Sequence, residues 1–288
     1  MSRTIIACFD DQARADSAIG DYAAWAARQI KAPLCLLHVL EQKTITHEDY
    51  SGQIGLGTRE RLLEEITEEE GRIIRQAREE GRQMLETLRA RLTDEMLTPQ
   101  VQQRHGALAP TLREQCNSED LLVLGRCGHQ HSQNHHHQGD EDMSLGAHLE
   151  DLAQHLDVPM LIAPARFQVP ARAMVAFDGS DRGLEQLSRL VKWGWLEGLE
   201  THVVHVSEPA NSQPAERGAE LLGAAGLDVK PVTLEGDAGR KLPAYAREQE
   251  VDLVAMGAYG HSSLRRFLMG STTHKLLEAM PSAILLMR

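Results

Sequence analysis

The segment from Asp252 to Thr273 holds the residues best suited to chemistry: Gly257, two residues, Gly260, nine residues, then Gly270-Ser271-Thr272. Glycine lacks a Cβ, so an anion can come up against the backbone, and positive φ is open to it. The run Asp252-Leu253-Val254-Ala255-Met256 reads as a buried strand ending at Gly257, and Leu276, Leu277 and Met280 give a helical pattern after Thr272. Ser271 and Thr272 would then place hydroxyls at a helix N-terminus, where unpaired N–H groups and the dipole favour negative charge. These are the parts of a polyphosphate cradle. The segment is no P-loop, since GxxxxGK[ST] does not occur and no lysine precedes Ser271. Nor is it the GxGxxG dinucleotide fingerprint.

The elements that must position this segment occur twice. Residues 3–10 (Arg-Thr-Ile-Ile-Ala-Cys-Phe-Asp) and 172–178 (Arg-Ala-Met-Val-Ala-Phe-Asp) are short apolar runs ending in Asp10 and Asp178. Helical patterns follow over roughly 12–30 and 181–198. Second strands then end in His38-Val39 and His205-Val206; Asp120 and Asp252 open a later pair, and 159–163 and 283–287 close each copy. Strands alternating with helices predict mainly parallel sheets covered on both faces. We expect two tandem Rossmann-like α/β domains, 1–164 and 171–288, joined by the linker Pro164 to Pro170. Each should be a five-stranded sheet of order 3-2-1-4-5, which sets the ends of its first and fourth strands, Asp178 and Gly257, across one crevice. The edges 159–163 and 283–287 are expected to meet as an internal pseudo-dimer.

Gly257-x2-Gly260-x9-Gly270-Ser271 resembles the ATP-binding motif of the universal stress protein family, whose adenine-nucleotide alpha hydrolase-like fold is the one just described; Asp178, His205-Val206 and Gly236 match as well. The likeness covers both halves. It implies that Ala176, Asp178 and Val206 lie around base and ribose, and that Met256 and Gly257 line the same crevice. It further implies that Gly260, His261, Gly270, Ser271 and Thr272 face the phosphates, with Gly236 beside them. The implied ligand is ATP, with AMP or ADP as alternatives, and Mg²⁺ or Mn²⁺ riding on the phosphates. The implied role is regulation in a stress response, and family members are often dimers. Glycines serving tight turns alone are the competing reading, strongest at Gly236.

The first copy departs from this pattern. Gly125-Arg126-Cys127-Gly128 keeps the opening pair, but the register of the last helix aligns Gly270 with Gly146, so 17 residues replace nine and Ala147 replaces the serine. Triphosphate binding is therefore expected in the second half only. The added loop holds His129, His131 and His135-His136-His137 with Asp140, Glu141 and Asp142. A solvated loop is the expectation, since the spacing matches no closed zinc site. No metal site and no catalytic set is assigned: Arg265 and Arg266 read as solvated helix charges, so the expectation is a binding protein, at most a slow ATPase.

A charged pattern over 58–92 carries Leu62, Leu63, Ile66, Ile73, Ile74, Ala77, Met84, Leu85, Leu88 and Leu92 at helical spacing, broken by Gly71 and Gly81. It predicts an amphipathic helix packed on the sheet, with a partner-binding or dimerising helix, or a ligand-free scaffold, as alternatives. A net charge of −12 argues against broad binding to nucleic acid or anionic membrane. No run approaches the ~18 apolar residues of a membrane helix. The run after Met1 is too short for a signal peptide, and Cys8, Cys35, Cys116 and Cys127 form no CxxC, so a reducing, cytoplasmic setting is expected. A protein partner and a further homodimer are the remaining expectations.

Overall fold

A computed structural model of the chain describes residues 3–9, 17–40, 56–94, 96–126, 149, 152, 156–257 and 271–288, with 56–70 and 271–274 as backbone. The first half runs β1 (Ile5–Phe9), α1 (Ala18–Gln29), β2 (Leu34–Leu40), α2 (Leu56–Leu92), β3 (Gln100–His105), α3 (Leu108–Gln115), β4 (Leu121–Gly125) and β5 (Met160–Ala163). The second runs β6 (Arg172–Ala176), α4 (Asp181–Lys192), β7 (Glu200–Ser207), α5 (Gln213–Ala224), β8 (Val229–Glu235), α6 (Ala238–Glu248), β9 (Leu253–Gly257), α7 (Ser271–Ala279) and β10 (Ala283–Met287).

The strands form one ten-stranded sheet of order β3-β2-β1-β4-β5-β10-β9-β6-β7-β8, which is the order 3-2-1-4-5 written twice, back to back. Every pairing is parallel except β5 with β10, which run antiparallel with Leu285 opposite Leu161. The central strands are continuous apolar runs because helices cover both faces; β1, β2, β5 and β10 are buried at every position. The repeated aspartates before β4 and β9 serve the other end of the sheet. Asp120 accepts the N–H of Thr4 at 2.8 Å, and Asp252 those of Ala171 and Arg172 at 2.9 and 3.0 Å, so each carboxylate finishes the start of the strand beside it.

The second helical pattern ends earlier than its spacing predicts. α4 stops at Lys192 rather than running to 198, because Gly194 takes φ +71. The Gly194 N–H bonds the Val191 carbonyl and the Trp195 N–H that of Leu190, which is the Schellman arrangement. That reversal drives Trp195 into the core, fully buried, with its ring 6.0 Å from Trp25 of α1. Tyr22 meets Phe167 of the linker edge-on at 4.8 Å, and Gln29 donates to the Glu197 carbonyl at 2.7 Å. The two halves thus share one core layer on this face.

α2 packs on the sheet through its last three turns, where Gly81, Leu85, Leu88 and Leu92 are buried. Gly81 does not merely interrupt the helix: a Cβ there would lie 2.3 Å from His38 Cε1 and 2.7 Å from Gln103 Nε2. That imidazole is 2 % exposed, and its Nδ1 accepts from Gln103 at 3.1 Å. Alanine would gain about 1 kcal/mol of helix propensity, but overpacking costs about 1–3 kcal/mol and the displaced hydrogen bond about 1 more. Gly81→Ala is therefore expected to lower stability by about 1–3 kcal/mol, read from the urea midpoint at constant m; a rise would show that α2 lifts away freely.

Cys8 and Cys35 are buried, as expected, and Cys116 is half-buried; Cys127 lies outside the described residues. Burial and the nearby Asp120 push the Cys116 thiol up to about 12, which fits an inert side chain rather than a ligand.

Candidate functional site

β6 and β9 are neighbours, with Ala176 opposite Met256, so their carboxyl ends open side by side where the winding of the second half reverses. Phe177 and Asp178 continue from β6, Gly257 closes β9, and Val206 stands near the end of β7 beside β6. The local chain explains how the aspartate is held. Asp178 Oδ1 accepts from the Ser180 N–H at 2.9 Å and from its hydroxyl at 2.6 Å. Ser180 Oγ in turn accepts from the Gly183 N–H at 3.0 Å, so the serine that orients the carboxylate also caps α4. The result is an exposed carboxylate fixed at the mouth of the sheet.

His205, 8 % exposed, donates Nδ1–H to the Phe177 carbonyl at 2.9 Å and ties the end of β7 to that of β6. It is a strut, as is His38 in the first half.

Two glycines of the constellation have causes within the chain. Gly236 has φ +123, which an L side chain rarely adopts, and its N–H bonds the Ser207 carbonyl. A Cβ on Gly257 would meet Gln186 Oε1 at 2.8 Å, so the amide of α4 covers this strand end. Gly260, His261 and Gly270 lie outside the described residues, and Ser271 and Thr272 are described as the backbone that opens α7. Two residues absent from the sequence reading join this end of the sheet: Gln186, and Lys275, exposed one turn into α7 with its stem within 3.9 Å of a Cβ built on Gly239. The helical step of four from Ser271 to Lys275 was the available signal.

The matching turn of the first half is used differently. Arg126, in the place that Ala258 takes in the second copy, reaches across the seam and donates to the carbonyls of Met280 and Ser282 at 2.5 and 2.6 Å, just beyond the C-terminus of α7. A second polar cluster stands at the opposite end of the sheet. Tyr245 OH and Glu200 Oε1 hold the two nitrogens of His202 at 2.8 and 2.9 Å, and the glutamate also pairs with Arg172 at 2.8 Å. His202 and Arg172 hold the Glu200 carboxyl below its usual range. The cluster fastens α6 to β7. The His-rich segment 129–142 lies outside the described residues, and among those described no three His, Cys, Asp or Glu side chains gather as metal ligands. No described helix is long and apolar enough to cross a membrane.

Two doubly wound five-stranded sheets, fused through one antiparallel seam, define a tandem Rossmann-like α/β protein. The chain belongs to the universal stress protein family, whose family model matches residues 1–164 and 213–288. It is 28 % identical over 299 residues to the universal stress protein Slr1230 of Synechocystis, covering 99 % of this chain and 100 % of that one. A universal stress protein of Archaeoglobus fulgidus has the same fold with a TM-score of 0.63 and 16 % identity, covering 100 % of this chain and 97 % of the other. The protein PA1789 of Pseudomonas aeruginosa gives a TM-score of 0.57 at 17 % identity, over 99 % and 92 % of the two chains.

Proposed function

We propose that the second half binds one adenine nucleotide, ATP in preference to AMP or ADP, and that its occupancy regulates which protein partner is engaged in a cytoplasmic stress response. The observation that carries this reading is the adjacency of β6 and β9, with an oriented carboxylate at one strand end and a helix opened by Ser271-Thr272 in the chain beyond the other. The chemistry of the set fits the ligand. Asp178 is an acceptor for a ribose hydroxyl or the adenine amine, and the α7 N-terminus and Lys275 are positive partners for phosphate. Ala176, Val206 and Met256 give apolar surface for the base, while Gly260, His261 and Gly270 complete the phosphate side. Mg²⁺ or Mn²⁺ would travel on the phosphate oxygens. The first half is proposed to leave triphosphate alone, since 17 residues replace nine between its glycines and Ala147 stands where the second half has Ser271.

Native mass spectrometry of the freshly purified chain, beside the Gly260→Val/Gly270→Val variant, tests this. One ATP-mass adduct per chain, lost in a folded variant, is the expected result. Absence of an adduct together with no heat of ATP binding in Mg²⁺ would remove the nucleotide reading. Two adducts would overturn the restriction to one half.

A further inference from the structure

The face that α4 turns toward the sheet carries one residue out of keeping with it. α1 and α4 start from the N-caps Ser17 and Ser180, and each has a glycine three residues on, Gly20 and Gly183. Six residues on stand Ala23, fully buried, and Gln186, half-buried. Gln186 shares its side of α4 with the buried Leu187 and Leu190. A polar residue on such a face, where packing asks for an apolar one, points to a demand of function. Its amide is also under-used. An amide offers two donors and one acceptor. Among the described residues its one hydrogen bond runs from Nε2 to the Met287 carbonyl, at 3.5 Å, and Oε1 accepts none. A bond of that length contributes little.

The place of the amide says what it could hold. Gly183 and Gln186, three residues apart, are neighbours on the helix surface. A Cβ on Gly183 would lie 2.9 Å from Asp178 Oδ1, and one on Gly257 would lie 2.8 Å from Gln186 Oε1. α4 thus lays its first turn against the carboxylate beyond β6 and its next turn against the end of β9. Those strands are paired, with Ala176 opposite Met256, and paired strands run about 4.8 Å apart. The crevice therefore has a carboxylate at one strand end and an amide at the next. The first accepts only; the second donates and accepts. A vicinal diol, with two adjacent hydroxyls that each need a partner, fits this pair. β7 with Val206 lies on one side of β6, and β9 leads toward α7 on the other. With the base on the β7 side and phosphate at α7, the sugar that links them falls over β6 and β9.

We infer that Gln186 is a specificity-determining residue that holds the ribose O3′, the hydroxyl on the phosphate side, while Asp178 holds O2′, so that the site demands an intact ribose diol. The inference rests on the nucleotide reading above. Calorimetry of the full chain with ATP, 2′-deoxy-ATP and 3′-deoxy-ATP in Mg²⁺, beside Gln186→Met, tests it. Methionine keeps the length of the stem and removes the amide. The ATP affinity of the variant should fall about five- to tenfold, the range of one neutral hydrogen bond, to the value that 3′-deoxy-ATP has with the wild type. The 3′-deoxy analogue should bind both proteins alike, and the 2′-deoxy analogue should show the same loss as ATP. Gln186→Ala, which adds no bulk beneath α4, should repeat the pattern. Equal losses for all three ligands, or no loss for any, would overturn this inference and leave the nucleotide reading in place. No binding of ATP by the wild type would overturn both.

Discussion

Leu285→Asp should unfold both halves of the chain together. Leu285 is fully buried in β10, between Leu161 of β5 and Ala255 of β9, at the middle of the ten-stranded sheet. A carboxylate placed there has no cation to meet, and an uncompensated buried charge costs several kcal/mol even after relaxation, about 3–5 in broken buried pairs. That is a large fraction of the ~5–15 kcal/mol that holds a typical domain folded. Leu285→Ala gives the graded version: loss of the side chain and the cavity left behind should cost about 2–5 kcal/mol. The position decides whether the cost is shared. Trp195 against Trp25, Tyr22 against Phe167, and Arg3 stacked at 3.9 Å on the Trp193 ring all cross between the halves. Urea unfolding of Leu285→Ala should thus show one transition, coincident by circular dichroism and tryptophan fluorescence. Two transitions of similar amplitude would show that each half stands alone and that the seam is only a contact.

The order of the strands was legible because buried parallel strands are written as unbroken apolar runs and because the plan is repeated; the pairing of 159–163 with 283–287 followed from both being terminal strands of their copy. The register of the helices was less so. The end of α4 depended on a single glycine taking positive φ at 194, while the apolar pattern ran on through Trp195 and Leu196 and so read as more helix. Glycines were the most ambiguous letters. Gly81 looked like a weak point of a helix and is a point of closest approach to a buried histidine; Gly236 and Gly257 looked like ligand glycines and have demands of their own in φ and in the cover given by Gln186. Sequence spacing registers that a side chain is missing, not what occupies its place. The half-exposure of Ile73 and Ile74 on α2 was equally hidden, since helical phase cannot say where the sheet beneath a helix ends.

Arg126→Met should cost about 2–4 kcal/mol, from two hydrogen bonds to a charged donor at roughly 1.5–3 each, discounted because the site is only partly buried. Methionine keeps much of the stem's apolar contact, so the change isolates the guanidinium. Its two N–H groups satisfy the carbonyls of Met280 and Ser282, at the end of α7 where the helix leaves carbonyls unpaired and the dipole favours a cation. Arg126→Lys can restore the charge but at best one of the two bonds, and should recover less than half of the loss. The consequence reaches further on the proposed placement of the nucleotide. α7 is nine residues long, so the same short rigid element is held at one end by the first half and meets phosphate at the other. Loosening its grip should weaken ATP, which depends on the position of the helix N-terminus, and leave adenosine, held at the ends of β6 and β7, unchanged. Calorimetry with both ligands separates this from general damage: equal losses for ATP and adenosine would mean that Arg126 only stabilises the fold, and an ATP loss alone would mean that the first half helps to set the proposed phosphate side of the second.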